Sequence, residues 1–347
     1  MKVLMAYAPN ELRFVEMDTP KPGPREVLAK VNYCGICATD YAIYQGTLKL
    51  GEGNEPIYPV RIGHEWSGVV VEVGAETRRL KPGDHVISDT GYSCGECAAC
   101  LEGDYQRCDY GKAIGTIGEC WPGAMAEYIV MPERLTFNVP KNVGLEEAAL
   151  VEPSSIGLYG LMRSPMGPGR NLLVIGTGPI GLGGMACAKG MGSGKTLLAG
   201  RKDAKLEIGR RMGADILINT TKESMYDIVM RETEGRGMDV IMDTSGDPSI
   251  FNEVLTLLRP SGTLVIPGFY ERTLNEVHLD RLIVQNCTLV GAAGTPNMGR
   301  KVLDLLQNGH ISLKEMITDR FAFGDAQEAF NAISERNDRR VKIMLEM

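Results

Sequence analysis

The chain has 347 residues, 44% of them hydrophobic and 23% charged, with a formal net charge of −7. That length exceeds what one core organises well and suits two domains. The acidic balance excludes a surface built for nucleic acid or anionic membrane, no run approaches the apolar length of a membrane span, and Met1–Pro9 lacks the apolar core of a signal peptide.

Short β-like runs occupy the first third: Val27–Val31, Ser67–Gly74, His85–Ser88 and Ala126–Val130. The turns Pro22-Gly23-Pro24 and Lys81-Pro82-Gly83-Asp84 separate them, which predicts a mainly β domain rich in loops. Within it, Gly35-Ile36-Cys37-Ala38-Thr39-Asp40 brings a thiol, a hydroxyl and a carboxylate close together, and Gly63-His64-Glu65-Trp66-Ser67-Gly68 sets an imidazole beside a carboxylate. Glu152, in Val151-Glu152-Pro153, stands where the β texture gives way. Cys, His and Glu are all zinc ligands, and three of them plus water leave a catalytic position open. Singly, each has an ordinary reading as a buried thiol, a surface pair, or an acid opening a helix.

Between the second and third of these motifs lie Cys94, Cys97, Cys100 and Cys108, interleaved with Gly and Ala. Four thiolates at this spacing make a closed tetrahedral zinc site, which is structural because no position is left open. Iron–sulfur clusters use similar spacing, and disulfides are the alternative for a secreted chain. An odd total of nine cysteines, four of them in this cluster, fits metal binding in a reducing compartment, so zinc and a cytoplasmic location are expected.

From about Leu172 the pattern changes. Leu172–Ile175 is a continuous apolar run, followed by Thr196–Ala199, Ile216–Ile218, Asp239–Met242 and Thr263–Ile266, with helix-length segments such as Ala204–Met212 and Ile250–Leu258 between them. Alternating strands and helices predict a doubly wound α/β sheet. The tail from about Thr295 reads as a helix at Arg300–Asn308, another near Asp325–Glu335, and a final strand Val341–Leu345.

Gly176-Thr177-Gly178-Pro179-Ile180-Gly181 follows the strand Leu172–Ile175 directly and opens a helix, the context that turns a weak glycine pattern into a dinucleotide fingerprint. Gly176 makes the tight turn, Gly178 admits the pyrophosphate, and Gly181 lets helix pack on strand. About twenty residues further on, where an acid would hold the ribose of NAD, stands Gly200-Arg201-Lys202. A glycine leaves room for a 2′-phosphate and two cations neutralise it, so NADP is expected over NAD. The ordinary reading is a solvated basic turn.

Taken in order, Gly63-His64-Glu65 with the following glycine–valine strand, Lys81-Pro82-Gly83-Asp84, the four-cysteine lobe and the glycine fingerprint resemble the zinc-dependent medium-chain dehydrogenases, in their polyol (sorbitol/threonine-type) branch, over essentially the whole chain. The resemblance implies an α/β fold. A GroES-like domain from residues 1–152 and 294–347 would carry the structural-zinc lobe at about 91–110, and a Rossmann domain would span 153–293, with the active site in the cleft. It implies two zincs per chain. Cys37 and His64 would bind the catalytic zinc with Glu152 as third ligand, and Glu65 would bind it directly or through water. Asp40 would orient the histidine, and Thr39 would hydrogen-bond the substrate oxygen. The histidine that often continues the proton relay is Ala42 here.

The implied activity is reversible oxidation of a secondary alcohol, with hydride passing to the nicotinamide. A polyol, sugar or cyclitol is the expected substrate, Tyr41, Tyr44, Trp66, Glu119 and Trp121 are candidates to line its pocket, and a homo-oligomer (dimer or tetramer) is expected. Two other readings stand beside this one. A zinc-free quinone or enone reductase on the same scaffold would lack Cys37, His64 and the cysteine lobe. A non-enzymatic zinc-binding module would need no glycine fingerprint.

Overall fold

The computed structural model describes residues 1–48, 56–116, 120–270, 273–274 and 276–347. Both chain ends build one sheet. The long strand Glu26–Gly35 pairs antiparallel with Glu65–Val73, with Tyr128–Pro132, and with the C-terminal strand Lys342–Glu346, which sets Met344 opposite Gly35. Ile317–Ala322 lies parallel to Lys342–Glu346, while His85–Ser88 and Thr136–Asn138 extend the opposite side. A smaller sheet of Glu11–Glu16, Lys2–Ala8 and Val60–Arg61 sits alongside. Glu26–Gly35 runs past the Val27–Val31 read from sequence because Lys30 and Asn32 interrupt the apolar pattern while the backbone pairing continues.

The second sheet has six parallel strands. Their spatial order is Ile216–Asn219, Thr196–Gly200, Leu172–Ile175, Met238–Asp243, Leu258–Ile266 and Thr288–Gly291. Every residue of Leu172–Ile175 is buried, as a central strand covered on both faces requires. The chain order reverses between Leu172–Ile175 and Met238–Asp243, and at such a switch point the carboxyl ends of the strands splay to leave a crevice. The expected helix Ala204–Met212 is Asp203–Arg211. The helix expected at Ile250–Leu258 is shorter, Phe251–Thr256 after a 3₁₀ turn, because the next strand already begins at Leu258. Thr288–Gly291 was not legible as a strand: at the sheet edge, its short exposed run carries no alternation.

The helix Val151–Met162 also escaped the sequence pattern, since it is buried on most sides and shows no polar stripe. It packs on the helix Pro179–Gly190 and belongs to an apolar cluster running from Ile87 and Val139 through Leu172 and Leu182 to Met298, Ile317 and Met344. Side chains of this size gain about 1.5–3 kcal/mol each on burial, so the two sheets meet across a packed seam. No helix among the described residues is long and apolar enough to cross a membrane.

Candidate active site and metal centres

At the end of Glu26–Gly35 the chain turns into the short helix Ala38–Gln45, whose first turn holds Asp40, fully buried. One Asp40 oxygen accepts the Cys37 amide at 2.9 Å; the other accepts the Gly63 amide at 3.0 Å and lies 3.6 Å from His64 Nδ1. A single carboxylate therefore fixes the Cys37 loop and the His64 loop together. The ligand atoms of Cys37, His64 and Glu65 all lie within 4.8 Å of one another. A thiol, an imidazole and a carboxylate converging in a buried site, with His64 Nδ1 lacking a hydrogen-bond partner, form a donor set suited to zinc.

Glu65 has a partner that sequence reading missed. Lys342 Nζ lies 2.7 Å from Glu65 Oε1 and donates to the Ile36 carbonyl at 3.0 Å, with the lysine only 3% exposed. Burial disfavours the ammonium, but Glu65 and Cys37 outweigh it and raise the Lys342 pKa. The available signal was a lysine at a core position of the otherwise apolar final strand. Glu152, in the first turn of Val151–Met162, lines the same cavity but stands outside the group of three. Burial pushes its carboxyl up to about 8, opposed by His64 and reinforced by Glu65.

The four thiols of the cysteine lobe also lie within 4.8 Å of one another. Amides point at the sulfurs: Glu96 and Cys97 each donate to Cys94 Sγ at 3.3 Å, and the Cys94 amide donates to Cys108 Sγ at 3.2 Å. The Glu96 and Cys97 amides bring the Cys94 thiol down to about 6, and no cysteine is paired in a disulfide. Amide donors around four convergent sulfurs suit a closed thiolate zinc site.

In the nucleotide crevice, Gly176 adopts φ 109° at the end of its strand, and a Cβ there would meet Thr244 Oγ1 at 2.4 Å. Only glycine makes this turn. Gly178 precedes the helix Pro179–Gly190 and faces open space, so its backbone is accessible to a ligand at the helix N-terminus. Gly200 is tighter than the sequence indicated, since a Cβ would approach Thr177 Cγ2 at 2.6 Å. Arg201 is exposed and makes no ion pair among the described residues, whereas Lys202 Nζ pairs with Asp338 at 2.8 Å. A cleft of about 1110 Å³ joins this crevice to the metal group: Cys37, Thr39, His64 and Glu152 line one side, and Pro179, Ile180 and Thr244 the other.

Residues 23–141 match the alcohol dehydrogenase GroES-like domain family, and residues 179–308 match the zinc-binding dehydrogenase family. D-arabitol-phosphate dehydrogenase of Enterococcus avium is 32% identical across 100% of this chain and 97% of its own length. Sorbitol dehydrogenase of Bacillus subtilis is 29% identical over 99% of this chain and 97% of its own. A putative zinc-binding dehydrogenase from Sinorhizobium meliloti, solved bound to NADP, superposes with a TM-score of 0.88 at 26% identity, covering 100% of this chain and 99% of that one. The chain belongs to the zinc-dependent medium-chain dehydrogenases, in their polyol branch.

It is accordingly an NAD(P)-dependent alcohol dehydrogenase, and the expected pairing of a GroES-like β unit with a Rossmann sheet holds. Within this dehydrogenase the aromatic residues suggested as pocket walls serve elsewhere. Tyr41 and Tyr44 pack on Phe330, Trp66 is buried with its Nε1 donating to Ser88 at 2.9 Å, and Trp121 stacks on Tyr92 at 4.8 Å. Glu119 lies outside the described residues. Tyr105 and Gln106 of the cysteine lobe line the cleft instead, together with Phe269; Gln106 donates to the Ala293 carbonyl at 2.9 Å. Nothing in the sequence marked residues so distant along the chain as neighbours.

Proposed function

We propose that this dehydrogenase oxidises a secondary alcohol of a polyol, sugar or cyclitol, reversibly, and uses NADP(H) in preference to NAD(H). The observation that carries the reading is the cleft that Cys37, His64 and Thr39 share with Pro179, Ile180 and Thr244. One zinc would be held by Cys37, His64 and Glu152, with Glu65 exchanging between that centre and Lys342; a second would sit on Cys94, Cys97, Cys100 and Cys108. When bound, zinc supplies Lewis acidity that lowers the pKa of the substrate hydroxyl, and the nicotinamide supplies the hydride acceptor. Thr39 lines the cavity beside His64, where its hydroxyl can take the hydrogen bond of the reacting oxygen and pass a proton outward. Ala42 offers no group to carry that proton further, so the onward path would not use a side chain at this position. Arg201, which makes no ion pair among the described residues, would neutralise the 2′-phosphate, and Lys202 would join it on leaving Asp338.

Division into domains at 1–152 with 294–347 and at 153–293 is part of this proposal, as are a cytoplasmic location and a homo-oligomer. The exposed edge strand Thr288–Gly291 beside exposed Ile283 and Val284 supports association. The buried group of Cys37, His64 and Glu65, together with the cysteine lobe, argues against a zinc-free reductase; the glycine crevice argues against a zinc module without catalysis. The test is a screen of polyols, sugars and cyclitols with each nicotinamide cofactor, on protein whose zinc content is measured. About two zincs per chain, with turnover lost in Cys37→Ser, is expected; near-normal turnover by a Cys37→Ser protein that lacks the zinc of the Cys37–His64 centre would overturn the assignment.

A further inference from the structure

Where the strand Thr196–Gly200 runs into the helix Asp203–Arg211, the chain carries Arg201, Lys202 and Lys205, and Lys222 follows the neighbouring strand Ile216–Asn219. Two of these cations are taken up by acids. Lys222 Nζ lies 2.5 Å from Asp203, whose other oxygen accepts Asn219 Nδ2 at 2.6 Å, so that pair is local to the two strand ends. Lys202 Nζ lies 2.8 Å from Asp338, which arrives from the far end of the chain, between the helix Ala326–Ser334 and the last strand Lys342–Glu346. The hydrogen bond from Lys202 holds the Asp338 carboxyl below the ordinary aspartate range, and the charges of Arg336 and Lys205 act in the same direction. The two side chains are 40% and 51% exposed, so Lys202 can turn from one anion to another without disturbing the core. The Lys342–Glu65 pair, at 3% and 1%, has no such freedom. Of the turn Gly200-Arg201-Lys202, Arg201 alone is left as a cation without an acid among the described residues.

We propose that Asp338 is a specificity-determining residue of the cofactor site, competing with the 2′-phosphate of NADP(H) for Lys202 and so keeping NAD(H) usable. This rests on the reading of Gly200-Arg201-Lys202 as the 2′-phosphate site and deepens it. A carboxylate and a phosphate ask the same ammonium for the same charge-assisted hydrogen bonds. To serve the phosphate, Lys202 must give up Asp338, and the freed carboxylate then stands near an incoming anion of like charge. Both penalties fall on NADP(H) alone, because NAD(H) presents an uncharged ribose diol there. An exposed ion pair of this kind is worth a factor of about two to five in an equilibrium constant. A charge-assisted phosphate contact from Arg201 is worth about tenfold or more. Asp338 therefore tempers the preference that Arg201 creates and does not reverse it.

Calorimetric titration of the zinc-loaded protein with adenosine 2′,5′-bisphosphate and with adenosine 5′-monophosphate isolates the 2′-phosphate, the one group by which the two probes differ. Wild type, Asp338→Asn, Lys202→Ala and the double variant are compared at one ionic strength. Asparagine keeps the shape of the side chain without its charge. Asp338→Asn is expected to raise the affinity ratio of bisphosphate over monophosphate about two- to fivefold, with the monophosphate itself unchanged. The ratio of kcat/KM for NADPH over NADH should rise with it, through a lower KM for NADPH. In the Lys202→Ala background the same substitution should do less, because the competition runs through Lys202; a purely structural role would act equally in both backgrounds. A wild type that prefers the bisphosphate, while Asp338→Asn leaves or lowers that ratio, overturns the Asp338 assignment alone. Wild type and Asp338→Asn that both bind the monophosphate as tightly as the bisphosphate overturn the NADP reading itself.

Discussion

Asp89, only 6% exposed, should make stability depend on pH. Burial pushes its carboxyl from 3.8 up to about 7, against the pull of the Asn297 amide, the nearby Thr295 hydroxyl and Arg134. A carboxyl whose folded pKa exceeds its unfolded value adds stability that is complete below the unfolded pKa and is lost as pH rises through the folded one. The window is therefore roughly pH 4 to 7. Between pH 5 and pH 8, about two units of the shift are traversed, equivalent to about 2.7 kcal/mol at 1.36 kcal/mol per unit. Asparagine does not titrate, and it retains an acceptor for the Asn297 amide. The stability of Asp89→Asn relative to wild type should thus rise by about 2–3 kcal/mol from pH 5 to pH 8, other groups titrating alike in both proteins. Urea unfolding of the zinc-loaded proteins at several pH values measures this difference directly. A difference that stays flat across pH 5–8, or falls, would show that the carboxylate is satisfied by water or by the protein and would refute the reasoning.

Lys342→Met leaves Glu65 buried without its cation, a loss of about 3–5 kcal/mol in stability by denaturant titration, whereas replacing the pair together (Lys342→Met with Glu65→Leu) should recover much of it. Cys108→Ser removes one of four convergent thiols, so zinc content should fall from about two to about one per chain, with the melting temperature dropping before activity does; an unchanged melt would mean the lobe holds no structural metal. Arg201→Ala should lower kcat/KM for NADPH about tenfold, about 1.5–3 kcal/mol for one charge-assisted phosphate contact, and leave NADH within twofold when both are measured at one ionic strength. Arg201 serves better for this than Gly200, where any side chain must first displace Thr177.

The sequence alone determined what depends on local order. Cys94, Cys97, Cys100 and Cys108 lie close enough along the chain that backbone turns bring their sulfurs together, and Gly176 carries its turn in a φ of 109° that glycine adopts readily. Central strands such as Leu172–Ile175 were legible because burial on both faces demands unbroken apolar residues. The edge strand Thr288–Gly291 and the helix Val151–Met162 were not, one lacking a buried face and the other lacking an exposed one, so neither shows a period.

Only the tertiary structure decided which distant residues share a site. Lys342 reaches Glu65 because the last strand returns to pair with Glu26–Gly35, and Asp89 meets the Asn297 amide across 208 positions of sequence. Such pairings are set by sheet register and packing of the whole chain. Electrostatic satisfaction follows from them in turn: Glu65 is neutralised and one oxygen of Asp89 is not, although both are acids near the starts or ends of β-strands in sequence. What a carboxylate does depends on whether the fold brings it a donor, and no local pattern records that.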